Sequence, residues 1–100
     1  MKAIQTENTG NLFLDKLDSG HFRLWVGGAD RELFLNTETK GWVLRVVAKA
    51  QNGETFTSNN GNQFVEVRKN GTLFFWVGGA DREFWVSSTD LNWLKDKLSK

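Results

Sequence analysis

The chain has 100 residues, with 13 Lys and Arg against 12 Asp and Glu, and a formal charge of +1. One hundred residues is the length of one domain, and near-neutrality argues against strong nonspecific DNA binding through a basic surface. With no Cys and one His, His21, the chain lacks disulfides, thiol chemistry and the Cys or His clusters that most metal sites need. No apolar run approaches the roughly 20 residues of a membrane span, and residues 1–10 lack a signal-peptide stretch. A cytoplasmic location, in a cell or an infected host, is expected. Eight Phe and five Trp stand beside no Tyr, more Trp than a core of this size needs, so some would serve recognition.

In chain order, residues 2–7 suit a short first strand. Asn8-Thr9-Gly10 and Asn11 mark a turn. The run from Leu12 to Leu17 follows, and Asp18-Ser19-Gly20 is a hairpin signal. Residues 21–26 are rich in aromatic and branched side chains and read as a strand. Gly27-Gly28-Ala29-Asp30 makes a tight connection, and residues 31–35 return. Asn36 is a good N-cap. Trp42, Val43, Val46, Val47 and Ala50 then fall on one helical face, ended by Gln51-Asn52-Gly53. Residues 42–47 taken alone would also suit a strand.

The second half removes that ambiguity. Trp25-Val-Gly-Gly-Ala-Asp-Arg-Glu32 recurs as Trp76-Val-Gly-Gly-Ala-Asp-Arg-Glu83, an offset of 51. At that offset, 16 of 49 ungapped positions are identical, so the chain is a tandem duplication. Repeat one covers residues 1–51 and repeat two 52–100, without a Pro- or Ser-rich linker. In repeat two, residues 54–58 match the first strand and Asn59-Asn60-Gly61-Asn62 reads as a turn. Gln63-Phe-Val-Glu-Val-Arg68 alternates cleanly, Lys69-Asn70-Gly71 suggests a hairpin in which Asn-Gly accepts positive φ, and residues 72–77 and 82–86 complete four strands. Ser87 caps a helix over residues 89–100, with Trp93, Leu94 and Leu98 on one face. The expectation is one α+β domain of two β-β-β-β-α repeats. Two antiparallel four-stranded sheets and two helices would be related by a pseudo-twofold axis.

Alternation then sorts residues by face. Phe22, Leu24, Val26, Leu33 and Leu35, with Leu73, Phe75, Val77, Phe84 and Val86, form an apolar face that should receive the helices. The opposite face carries Phe13, Asp15, Arg23, Trp25, Glu32 and Phe34, and in repeat two Phe64, Glu66, Arg68, Phe74, Trp76, Glu83 and Trp85. Several readings fit this mixture. It would serve as an interface between the sheets or between copies, as a stacking platform for single-stranded bases beside cations, or as a surface for sugar rings. The Gly-Gly-Ala-Asp strings suit hairpin turns better than phosphate cradles. Asp-Arg-Glu suits cross-strand ion pairs better than catalysis or metal binding. His21 reads as a surface residue. No acid, base or nucleophile set is visible, so neither an enzyme nor a cofactor is expected.

The strand, cap and helix in Arg82-Glu-Phe-Trp-Val-Ser-Ser-Thr-Asp-Leu-Asn-Trp-Leu-Lys-Asp-Lys-Leu98, with Phe64-Val-Glu-Val-Arg-Lys-Asn-Gly-Thr-Leu-Phe-Phe75 before it, resembles the single-stranded-DNA-binding transcriptional coactivator family (positive cofactor four). Whirly and Pur-alpha proteins carry two similar units per chain. The resemblance covers nearly the whole chain. It implies a Whirly-like fold whose curved sheets present aromatic and basic residues to single-stranded DNA or RNA, in replication, recombination or transcription, with weak sequence specificity. Trp25, Trp76, Phe34, Trp85, Phe13 and Phe64 would stack on bases. Arg23, Arg68 and Lys69 would meet phosphates, and Arg31 and Arg82 would touch phosphate from the loop rim. Further homo-oligomeric assembly would fit such families. The alternative is a protein-interaction or inhibitor module, from a phage or mobile element, using the same aromatic face.

Overall fold

Period-two alternation in each half becomes four antiparallel strands paired in sequence order. A computed structural model describes residues 2–10, 12–26, 32–78 and 83–99. Strands β1 (Ala3–Asn8), β2 (Leu12–Leu17), β3 (Phe22–Val26) and β4 (Glu32–Leu35) form one sheet. Helix α1 (Thr37–Gln51) follows. Strands β5 (Phe56–Asn60), β6 (Gln63–Val67), β7 (Leu73–Val77) and β8 (Glu83–Val86) form the second sheet. A 3₁₀ turn at Ser88–Asp90 leads into helix α2 (Leu91–Leu98). This is the expected α+β repeat layout.

Element boundaries differ from the sequence reading for identifiable reasons. At the end of α1, Gly53 takes φ 84°. Its N–H donates to the Ala50 carbonyl, and the Glu54 N–H donates to that of Lys49. This closing motif at the C-terminus takes up Glu54, so β5 starts at Phe56. At the other end of β5, Asn59 and Asn60 belong to the strand, because Asn60 pairs with Gln63. The turn is only Gly61 and Asn62, with positive φ at Gly61. The β2–β3 and β6–β7 turns contain one residue more than an Asn-Gly turn. Gly20 donates to the Leu17 carbonyl and Leu17 to that of His21; Gly71 donates to Arg68 and Arg68 to Thr72. Positive φ falls on Gly20 and Gly71 alone at these turns, which marks a type I turn closed by a glycine bulge. The second helix is shorter than expected because Ser87 caps the 3₁₀ turn, accepting from the Thr89 N–H.

The apolar faces meet in one cluster drawn from both halves. Leu24, Leu33 and Leu35 of the first sheet join Val65, Leu73, Phe75 and Val86 of the second, with Val43, Val47, Leu94 and Leu98 from the helices. All of these are buried. Trp42 is buried and Trp93 packs against the cluster, as their helical spacing predicts.

The helices cross between halves. Helix α1 sets Trp42 Nε1 3.0 Å from Ser58 Oγ on β5, and its Thr39 Oγ1 accepts from Asn60. Trp42 also meets Phe75 edge-on at 6.2 Å. Helix α2 reaches back to the first sheet, where Lys97 Nζ donates to Glu7 on β1 at 3.0 Å. Glu7 and Ser58 occupy equivalent positions 51 residues apart. Each is met by the helix of the other half.

Candidate functional site

Strand register converts the mixed faces into ordered rows. Across the first sheet the outer row reads Asn8, Phe13, Trp25, Glu32. Across the second it reads Asn59, Phe64, Trp76, Glu83. The same four residue types recur in the same order. In each row the rings stack, Phe13 on Trp25 with centroids 4.2 Å apart and Phe64 on Trp76 at 5.4 Å, with planes 12° and 7° from parallel. Directly opposite aromatic pairs of this kind stabilise a sheet by about 0.5–1.5 kcal/mol beyond their burial.

Beside these lies a second row in which the two sheets diverge. In the first sheet it reads Thr6, Asp15, Arg23, Phe34. Asp15 is 2% exposed, and it accepts from Thr6 Oγ1 at 2.7 Å, Arg23 Nε at 3.0 Å and Nη2 at 2.7 Å, and Trp25 Nε1 at 3.1 Å. Burial pushes the carboxyl pKa up; the bonds from Thr6, Arg23 and Trp25 and the Arg23 charge outweigh it, and the pKa lies below the ordinary 3.8. Arg23 is held charged, chiefly by its bond to Asp15, and also pairs with Glu32 at 3.5 Å. Arg23 and the Trp25 N–H are thus engaged within the sheet.

In the second sheet the same row reads Thr57, Glu66, Phe74, Trp85. Phe74 stands where the first sheet has Arg23, and it meets Trp85 at 5.5 Å with planes 31° apart. The Arg68 guanidinium lies 3.7 Å above the Phe74 ring and 3.3 Å from Glu66. Trp85 is 64% exposed. Lys69 is exposed in the turn beside Arg68. The second sheet therefore presents Phe64, Trp76, Phe74 and Trp85 as adjacent ring pairs beside two cations. Gly78 makes room for this arrangement. A Cβ there would sit 2.6 Å from Asn62 Oδ1 and 3.0 Å from the Phe64 ring.

The structure divides the candidate residues into groups. Phe64, Trp76, Trp85, Arg68 and Lys69 gather on or beside the second sheet's outer face. Phe13, Trp25, Phe34 and Arg23 gather on the first sheet's, where the polar groups bond to one another. Arg31 and Arg82 and the Gly-Gly-Ala-Asp connection of repeat one lie outside the described residues. Phe74 belongs to the site although the family resemblance did not assign it a role; alternation had already placed it on this face. His21 is half-buried rather than superficial. It meets Phe34 edge-on at 5.3 Å, and its Nδ1 is buried without a hydrogen-bond partner among the described residues. Among the described residues no cluster of His, Asp and Glu suits a metal ion, and no helix is long and apolar enough to cross a membrane. No family model, curated protein or solved structure matches the chain.

Proposed function

We propose that the chain binds single-stranded DNA or RNA on the outer face of its second sheet. The observation that supports this most is the pair of ring stacks, Phe64–Trp76 and Phe74–Trp85, ending in the exposed Trp85 beside Arg68 and Lys69. Rings accept any base, at about 1–3 kcal/mol per stacked base, and cations meet the phosphates. Sequence preference on the rings is weak for that reason. The repeat layout agrees with a Whirly-like or coactivator-like fold, and in that scheme the chain would act in transcription, replication or recombination without catalysis.

The test is fluorescence anisotropy of a labelled oligo-dT across a salt series. Trp76→Ala combined with Trp85→Ala should weaken binding at least tenfold, the equivalent of one lost base stack. With Arg68 and Lys69 as the phosphate contacts, log K should fall against log salt with a shallow slope of about −1.4. A slope several times steeper would place the contact on another, more basic surface. Nuclease-insensitive capture of a protein on the same face, with no oligonucleotide binding, would favour the interaction-module reading.

A further inference from the structure

A cleft at the junction of the two halves adjoins this face. It measures about 330 Å³ and is lined by Leu12 and Val26 from the first sheet and by Thr72, Trp85, Ser87 and Asp90 from the second half. Leu12 is buried and Trp85 is the most exposed aromatic wall. Trp85 therefore serves two places at once, the end of the Phe74 ring pair and the side of the cleft.

The duplication supplies an internal comparison. At the equivalent junction, 51 residues away, His21 stands for Thr72, Gln63 for Leu12 and Phe34 for Trp85. There the space is used by the protein itself. Gln63 Nε2 donates to the Phe34 carbonyl at 2.8 Å, and His21 packs edge-on against the Phe34 ring. In the open copy, Leu12 has no amide to make that bond, and Thr72 is too short to reach the ring as His21 does.

We propose that this cleft takes one unstacked base of the bound strand, and that it favours a base carrying an exocyclic amino group. The assignment rests on the single-strand reading of the neighbouring face. The Trp85 side wall and the Leu12–Val26 floor suit a flat ring with apolar faces. Among the described residues the lining holds no cation to meet a phosphate. Asp90 offers a carboxylate that accepts from an amino group, and Thr72 offers a hydroxyl to the rest of a base edge. Cytosine presents an amino group where thymine presents a carbonyl, and a carbonyl facing Asp90 finds an acceptor instead of a donor. A hydrogen bond to a charged partner, gained by one base and missed by the other, corresponds to about tenfold in affinity.

The experiment compares labelled dC and dT oligomers of equal length on the wild-type chain and on two variants that copy the closed junction, Leu12→Gln and Thr72→His. Thermal melts identify any variant that does not fold; Thr72 lies in the more exposed position, so Thr72→His decides if Leu12→Gln fails. The wild type should bind dC about tenfold tighter than dT, and the folded variants should bring dC binding down to the dT level. Equal affinity of the wild type for dC and dT overturns the cleft assignment and leaves the ring platform standing. A dC preference unchanged in a folded variant also overturns it. Failure of both oligomers to bind overturns the platform reading itself.

Discussion

Asp15 shows how one residue can close a surface that its equivalent leaves open. Its carboxylate collects four donor contacts from Thr6, Arg23 and Trp25 while almost shut off from water. The pKa is depressed in the fold, so this contribution to stability is fully present above the unfolded value and is lost as pH falls through the folded one. Urea unfolding should show stability declining below about pH 4 in the wild type. Asp15→Asn should cost about 1–3 kcal/mol at neutral pH, by removing the charge that Arg23 faces, and should flatten that acid decline. A variant with the same acid limb as the wild type would contradict this account. Trp85 is the opposite case. With 64% of it exposed, Trp85→Ala should lose only the Phe74 ring pair, about 0.5–1.5 kcal/mol of stability, and leave the chain folded in a thermal melt while weakening oligonucleotide binding. The face of each residue was legible from alternation. The engagement of Arg23 was not, because the same pattern suits a guanidinium turned to solvent or to a neighbouring carboxylate. Only the cross-strand register, which pairs Arg23 with Asp15 directly, decides between them.

At the scale of elements, the strands and helices followed from period and caps, and their ends followed from bonds that a pattern does not carry. Asn36 does cap α1, its side chain accepting from the Thr39 N–H at 2.9 Å, and burial of Trp42, Val43, Val46 and Val47 in the shared cluster offsets the poor helix propensity of Gly41 and the three Val. The Asn-rich run before Gln63 looked like turn chemistry. Gly61 alone supplies the positive φ, so pairing extends to Asn60. Gly53 has the same requirement with nothing within 4 Å of an added Cβ. Gly53→Ala should therefore destabilise through backbone strain alone, by about 1 kcal/mol, seen as a lower unfolding midpoint. An unchanged midpoint would mean that the α1 terminus rearranges freely.

Across the whole molecule, the helices tie the halves together. Helical spacing predicted which residues of each helix are apolar, but not which sheet they meet. In the fold, α1 carries Trp42 to Ser58 and α2 carries Lys97 to Glu7, and one apolar cluster spans both sheets. Each half made alone would lose the other half's share of that one cluster. Residues 1–51 and 52–100 expressed separately should be unfolded by circular dichroism; a cooperatively folded half would contradict a shared core. The same arrangement leaves the outer ring faces outside the shared cluster, which is the basis of the proposed function. The excess of Trp noted in the sequence is thereby divided between an inner set, Trp42 and Trp93, and an outer set, Trp25, Trp76 and Trp85.

That division gives the most direct test of the account. The indole N–H signals of the five Trp can be followed by nuclear magnetic resonance while oligo-dT is added at low salt. Trp76 and Trp85 should shift together as the strand binds, while Trp42, bonded to Ser58 inside the core, stays in place. The absence of any shift, or shifts confined to Trp42 and Trp93, would contradict a stacking platform on the second sheet.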